Sequence, residues 1–273
     1  DQNPFAWGPF QITPFLMDHS AFDGYAFLVE ADGQRVFYSG DFRAHGRTAW
    51  RFDRLMKHPP KGIDVLLMEG TSLGRGGLET KFKTEQELEE EMVQAFKATE
   101  GFALVSASAQ NIDRIVTLFR AAKRSGRVFL IDLYTASILE ATRHASIPKS
   151  DWDEVGLFVP LKQKNQIIRK KMFNTLEKHK KNRIFPESLA DFASKGVLLF
   201  RSIHQSDLEN AHALQGAKLF YSLWEGYLEQ NSGLELKAWA ETHRIPLRLL
   251  HTSGHASPSD LKRFAEALAP RTL

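Results

Sequence analysis

The sequence predicts an α/β fold built in two parts, and three observations carry that prediction. Between Phe10 and Gly70 short apolar or alternating runs ("FQITPFLMD", "YAFLVEA", "QRVFYSGD", "IDVLLMEG") are separated by turns such as "FDG" and "ADGQ", the pattern of strands. From about residue 80 the character changes to strand–helix alternation, the signature of a parallel sheet with right-handed crossovers. A chain of 273 residues, 42% hydrophobic, can also bury a sizeable core, as one large domain or two medium ones.

Each element has its own signal. Tyr25–Ala31 and residues 34–41 read as a hairpin joined at Asp32 and Gly33. A loop and a helix over 49–57 follow, closed by "HPPKG". The polar, glycine-rich "SLGRGGLETKFKT" is a connector. "TEQELEEEMVQAFKAT" then reads as an amphipathic helix, with Thr84 as N-cap and acidic residues in the first turns. The alternation continues through "FALVSA", a helix over 111–125, "RVFLID" and a helix over 133–144. After "GVLLFR" come a short helical stretch over 206–213, "AKLFYSL", a helix over 234–242 and "PLRLLHTSG". The expected plan is a β-rich portion over 1–79, an inserted α/β domain over 80–244 and a return segment over 245–273.

Composition narrows the chemistry. Without cysteine there are no disulfides and no thiolate metal sites, so any metal must be held by histidine and carboxylate. No apolar run reaches membrane-spanning length, and "DQNPFAWGPF" lacks the basic-then-apolar pattern of a signal peptide; the expectation is a cytoplasmic protein with no membrane partner. A net charge of +3 says little about nucleic acid, so the distribution of charge matters more.

The residues that carry chemistry stand at strand ends. His19 follows "FQITPFLMD", and Asp41 leaves an apolar strand through the small-residue turn "SGD", as a carboxylate does when it reaches into a pocket. Imidazole and carboxylate together are the ligands of zinc or manganese in a cysteine-free hydrolase. Glu69 in "LLMEGT" repeats the arrangement, and a carboxylate capping the next turn accounts for it equally. In "HTSGH", Gly254 lets backbone N–H groups approach an anion, and Ser253 and His255 can donate to it. His255 reads equally as a general acid beside a phosphate or as a neighbour of the helix start "SPSDL"; His251 reads as structural. Ser106 and Ser108 precede a helix whose N-terminus offers N–H groups to a phosphate, and a simple cap by Ser108 or Asn111 explains them as well. Arg43, His45 and Arg47 could line the pocket edge, and they read equally as hydrogen-bonding residues of the Asp41 loop.

Residues 161–183 are the most basic stretch. Ile167, Ile168, Met172, Phe173 and Leu176 fall near helical spacing, which predicts one packed face and one cationic face able to attract a phosphate backbone or simply to be solvated.

Taken in order, "MDHSAFDGYAFLVE", "VFYSGDFRAHGR", "LLMEGT" and "HTSGHAS" resemble the metallo-β-lactamase fold hydrolases that carry a β-CASP insertion, with the ribonuclease J-like branch nearest. "ALVSASAQNIDRIVTLFRAAKRSGRVFLID" and "KLFYSLWEGYL" resemble segments of the insertion itself, so the likeness runs over nearly the whole chain. It implies part of an αββα sandwich with an inserted β-CASP α/β domain. The implied function is a two-metal phosphodiester hydrolase (zinc or manganese) acting on nucleic acid, with RNA the expected substrate. It also implies roles: His19 and Asp41 as metal ligands; Asp41, Glu69 and His255 as catalytic residues; Ser253, Gly254, Ser106 and Ser108 as phosphate contacts. Association into oligomers is compatible with the family.

Two family features are missing: the HxHxDH loop and the terminal metal histidine. The expectation is therefore a fragment of an active parent, with weak or no stoichiometric metal in this chain. The alternative is a non-catalytic β-CASP homologue serving as a nucleic-acid-binding or scaffold partner. A small-ester hydrolase is a third reading, which the insertion and "HTSGH" disfavour.

Overall fold

The computed structural model describes residues 3–74 and 77–273; Asp1, Gln2 and the Arg75–Gly76 step of the expected connector lie outside them. The chain forms two compact units, Asp1–Gln86 with Thr252–Leu273, and Glu87–His251. The breaks thus fall after Gln86 and His251, where the sequence suggested residues 79 and 244.

The first unit is built on β1 (Phe5–Trp7), β2 (Phe10–Leu16), β3 (Tyr25–Ala31), β4 (Gln34–Tyr38) and β5 (Val65–Leu67), paired in that order. All pairs are antiparallel except β4 with β5. Asp32 and Gly33 both take positive φ, 49° and 75°, the requirement of a two-residue type I′ turn. Helix α1 (Trp50–Lys57) packs Phe52 and Leu55 against Phe15, Ala26, Leu28, Phe37 and Leu66 of the sheet. The strands alternate, so the other face carries Ile12, Phe27, Val29, Val36, Tyr38 and Leu67. None of these six is buried.

The second unit opens along α2 (Glu85–Lys97) and continues through β6 (Ala103–Ser106), α3 (Ile112–Arg124), β7 (Val128–Ile131), α4 (Leu133–Ala141) and β8 (Val155–Phe158). Then follow α5 (Leu161–Lys170), α6 (Phe173–Lys178), β9 (Arg183–Ile184), β10 (Gly196–Leu199), α7 (Gln205–Asn210), β11 (Lys218–Tyr221), α8 (Asn231–Thr242) and β12 (Leu247–Leu249). The seven strands are all parallel, in the order β12-β11-β6-β10-β7-β8-β9. Alternate residues feed two cores: Val105, Phe129, Leu157 and Val197 on one face, Leu104, Leu130, Phe158 and Leu198 on the other. Both faces being covered explains why these strands read as unbroken apolar runs.

Residues 161–183 differ from the expected single packed face. Lys171 takes a left-handed conformation (φ 54°, ψ 37°) that ends α5 before α6 begins. Across that break the helical register is lost. Ile167 is buried and Met172 and Leu176 are half-buried against the core, but Ile168 and Phe173 are left 53% and 54% exposed.

Helix α9 (Pro258–Leu268) returns to the first unit. The Ser257 hydroxyl caps it by accepting from Asp260 N at 3.2 Å. Phe264 packs on Phe42 and Phe37, with ring centroids 4.5 and 5.9 Å apart. Beyond it, Thr272 N donates to Asp64 O and Leu66 N donates to Thr272 O, so the end of the chain lies along β5. The fold is thus mixed α/β. No helix among the described residues is long and apolar enough to cross a membrane.

Candidate metal centre

The "SGD" turn positions two carboxylates at once. Ser39 is fully buried; its backbone N–H donates to Leu67 O at 2.9 Å, and its hydroxyl accepts from Glu69 N at 3.1 Å. Ser39 therefore ties the end of β4 to the end of β5. Gly40 has φ 56°, and a Cβ there would meet Tyr25 O at 2.8 Å, so only glycine lets the chain turn here. The turn delivers Asp41 to the surface beside Glu69. Phe42 N then donates to Glu69 Oε1 at 2.8 Å.

His255 approaches from the other end of the unit's sequence. Its Nδ1 donates to Glu69 Oε2 at 3.0 Å, and its backbone N–H donates to the Ser253 hydroxyl at 3.1 Å. A Cβ on Gly254 would sit 2.9 Å from the Ser20 hydroxyl, so the absence of a side chain brings the "SGH" turn against the residue after His19. Asp41, Glu69 and His255 each offer a ligand atom within 4.8 Å of the others.

His19 stands outside that trio, its ring centroid 6.0 Å from that of His255. Its Nδ1 is buried with no hydrogen-bond partner. Burial pulls its pKa below the ordinary histidine value, against the opposing pull of Asp41, so the ring is neutral at pH 7. The sequence paired His19 with Asp41 as metal ligands; the geometry groups Asp41 with Glu69 and His255 and leaves His19 alongside.

Behind these residues lies a network that the sequence did not signal. Asp18 is completely buried: Oδ2 accepts from Gly46 N at 2.7 Å, and Oδ1 accepts from the Thr48 hydroxyl at 2.9 Å with Arg43 Nε 3.7 Å away. Arg43, equally buried, also reaches Glu85 Oε1 at 3.2 Å and donates to Ser253 O at 3.3 Å. His45 Nε2 donates to the same carbonyl at 2.8 Å, and burial keeps that ring neutral too. Arg43 and His45 thus hold the "HTSGH" turn, where the sequence suggested hydrogen bonds around the Asp41 loop. Asp18 was missed because a carboxylate after a strand looks solvent-facing until its partner, 25 positions away, is brought to it.

A cavity of about 450 Å³ lies beside the trio, lined by Tyr38, Asp41, Leu67, Glu69, Leu73 and Leu273. Ser106 and Ser108 belong to the α/β unit, where with Arg201, Ser202 and Tyr221 they line a cavity of about 280 Å³ at the carboxyl ends of β6, β10 and β11. Asn111 caps α3 by accepting from Arg114 N at 3.0 Å, while the Ser108 hydroxyl accepts from Gln110 N at 3.2 Å. His251 Nδ1 lies 3.2 Å from Ser222 O, in the same unit.

No protein-family model matches the chain, and no curated protein matches it. A crystal structure described as a protein of unknown function from Enterococcus faecalis V583 is similar, with a TM-score of 0.70 over 99% of this chain at 16% identity. The chain spans 59% of that protein's length, and the likeness is one of fold.

Proposed function

We propose that the chain is the larger part of a metal-dependent phosphodiester hydrolase acting on nucleic acid, with RNA the expected substrate, built as a metallo-β-lactamase portion with a β-CASP insertion. The observation that carries this reading is the convergence of Asp41, Glu69 and His255 from three distant stretches, with His19, its buried Nδ1 without a hydrogen-bond partner, beside them. Two further features agree with it. The apolar second face of the β1–β5 sheet is what one half of an αββα sandwich presents to its other half. The fold is also shared with a longer chain.

The donor set suits a divalent ion. Two carboxylates and an imidazole, with a second imidazole already neutral, match zinc or manganese rather than a soft metal. Asp41, Glu69 and His255 would hold it, and when bound it would supply Lewis acidity to a phosphoryl oxygen and lower the proton affinity of an attacking water. The chain's own residues handle the rest. Glu69 fixes the His255 tautomer by accepting from Nδ1, so Nε2 of the neutral ring becomes its proton acceptor. That lone pair is the one His255 would give to the ion, and the Ser253–Gly254 turn offers donors to a phosphate.

One observation favours the second reading, a non-catalytic scaffold. Both oxygens of Glu69 already have partners, Phe42 N and His255 Nδ1, so the carboxylate is satisfied without a metal. The test is elemental mass spectrometry of the purified chain, followed by titration with Zn²⁺ and Mn²⁺ and assay on labelled RNA. The expected result is little metal as purified, weak binding on titration, and loss of that binding and of any EDTA-sensitive cleavage in Asp41→Asn. No binding at any metal concentration, with RNA left intact, removes the enzyme reading for this chain taken alone, and near two metals per chain removes the fragment reading.

A further inference from the structure

Charge is unevenly placed in this chain. Residues 161–183 hold nine lysines and arginines against one acid, Glu177, a net of +8 in a chain whose total is +3. The other 250 residues are therefore net −5. This concentration falls on one part of the α/β unit: α5, α6 and the approach to β9.

The pairing of these cations separates them from others in the unit. Lys123, Arg124 and Lys237 are bound to Glu154, to Glu89 and Glu90, and to Glu229. By contrast Lys162, Lys164, Arg169, Lys170, Lys171 and Lys178 are exposed, and among the described residues none has an acidic partner within 4 Å. Stabilisation of helix C-termini explains a cation in each last turn. It does not explain Lys162 or Lys164 in the first turn of α5, where a positive charge opposes the helix dipole. Nor does it explain Lys171, which occupies a left-handed position where glycine is the usual residue.

Apolar rings lie among the charges. Phe173 and Phe185 are 54% and 52% exposed, and the Arg183 guanidinium lies 4.8 Å from the Phe185 ring centroid. Exposed rings interleaved with unpaired cations are the elements of single-strand recognition, in which phosphates meet Lys and Arg while bases stack on aromatic faces. A lipid surface fits less well. The apolar residues of α5 and α6 are divided between the core (Ile167) and solvent (Ile168, Phe173), so no continuous face is left to enter a bilayer. A cavity of about 240 Å³ lined by Arg143, Lys149, Ser150, Lys178 and His179 opens nearby in sequence, but Glu140 and Asp151 also line it and offset most of its charge.

We infer that the basic face of α5, α6 and the segment leading to β9 binds single-stranded nucleic acid through its phosphate backbone, using residues none of which belongs to the Asp41 centre. From the proposed function it takes only the choice of RNA as probe. The test is fluorescence anisotropy with a labelled single-stranded RNA of about 20 nucleotides, in EDTA, across a salt series. Working in EDTA separates this inference from the hydrolase reading, since binding without cleavage leaves one standing and the other not.

The variant K164Q/R169Q/K170Q/K178Q is expected to bind at least about tenfold more weakly near 150 mM salt, with a shallower salt dependence. A control removing equal charge elsewhere, K57Q/K61Q/K97Q/R248Q, is expected to stay within about twofold. Phe173→Ala is expected to cost about fivefold with the salt slope unchanged. All nine positions are exposed, and matched melting curves check that folding is intact; if the quadruple variant melts early, its two halves, K164Q/R169Q and K170Q/K178Q, carry the test. Equal losses in the patch and control variants overturn the inference, since net charge alone would then explain binding. So does unchanged binding in the patch variant, or binding to anionic vesicles without binding to RNA.

Discussion

The two sheets differ in how many of their faces are covered. In the seven-stranded sheet Leu130 faces one core and Phe129 the other, and both are fully buried. In the five-stranded sheet Leu28 is buried under the helices while its neighbours Phe27 and Val29 are only partly covered. Both sheets are apolar in composition, yet only one is covered on both faces. An apolar strand therefore does not by itself reveal how many layers surround it. In the five-stranded unit buried charge forms the Asp18–Arg43–Glu85 network, which sets the loops that present Asp41 and His255.

The largest test of this contrast is Arg43→Ala. It removes the buried cation that lies against both Asp18 and Glu85, and the expected loss is about 3–5 kcal/mol in chemical denaturation of the first unit. It should also loosen the Ser253 turn that Arg43 and His45 hold. A loss below about 1 kcal/mol would mean that the network is solvated rather than buried.

Next is Leu130→Ala in the doubly covered sheet, with an expected cost of about 3 kcal/mol by urea denaturation. The third test is acid. His204 is wholly buried among Phe158 and Phe200, and burial drives its pKa from 6.5 down to about 3. The unfolded chain takes up this proton near pH 6.5 and the folded chain does not. Stability is therefore intact above pH 6.5 and is lost as pH falls from there toward 3. Between pH 7 and pH 5 the loss should be about 2 kcal/mol, and His204→Asn should flatten that limb. An unchanged acid limb in the variant would assign the loss to other groups.

The smallest effect sharpens the comparison most. Leu67→Ser, on the open face of the five-stranded sheet, should cost less than about 1 kcal/mol. A cost matching that of Leu130→Ala would show that this face is covered in solution.

Much of the α/β order was legible in the sequence because strong local signals agree with it. The Asp32–Gly33 turn, the Asn111 cap and the continuous runs "ALVS" and "VFLI" specify their elements without distant help. Strand β8 was not distinguished, since "VGLF" is short and follows a turn-rich stretch. The break at Lys171 was hidden because no glycine or proline announces it. Of the site, Asp41 and Glu69 could be read from apolar strands ending in "SGD" and "MEG", and His255 from its glycine turn.

By itself the sequence determined which residues lie at strand ends, that any metal must take oxygen and nitrogen ligands, and that 161–183 is the basic segment, because these follow from local pattern and composition. Only the tertiary structure decided that Glu69 joins Asp41 and His255 within 4.8 Å, with His19 alongside. It alone decided that Asp18 is buried beneath them and that, among the described residues, six cations of the basic segment have no acidic partner. Those outcomes depend on contacts between residues 25 to 210 positions apart. No local propensity encodes such contacts; they exist only once the packed strands and returning helix bring the partners together.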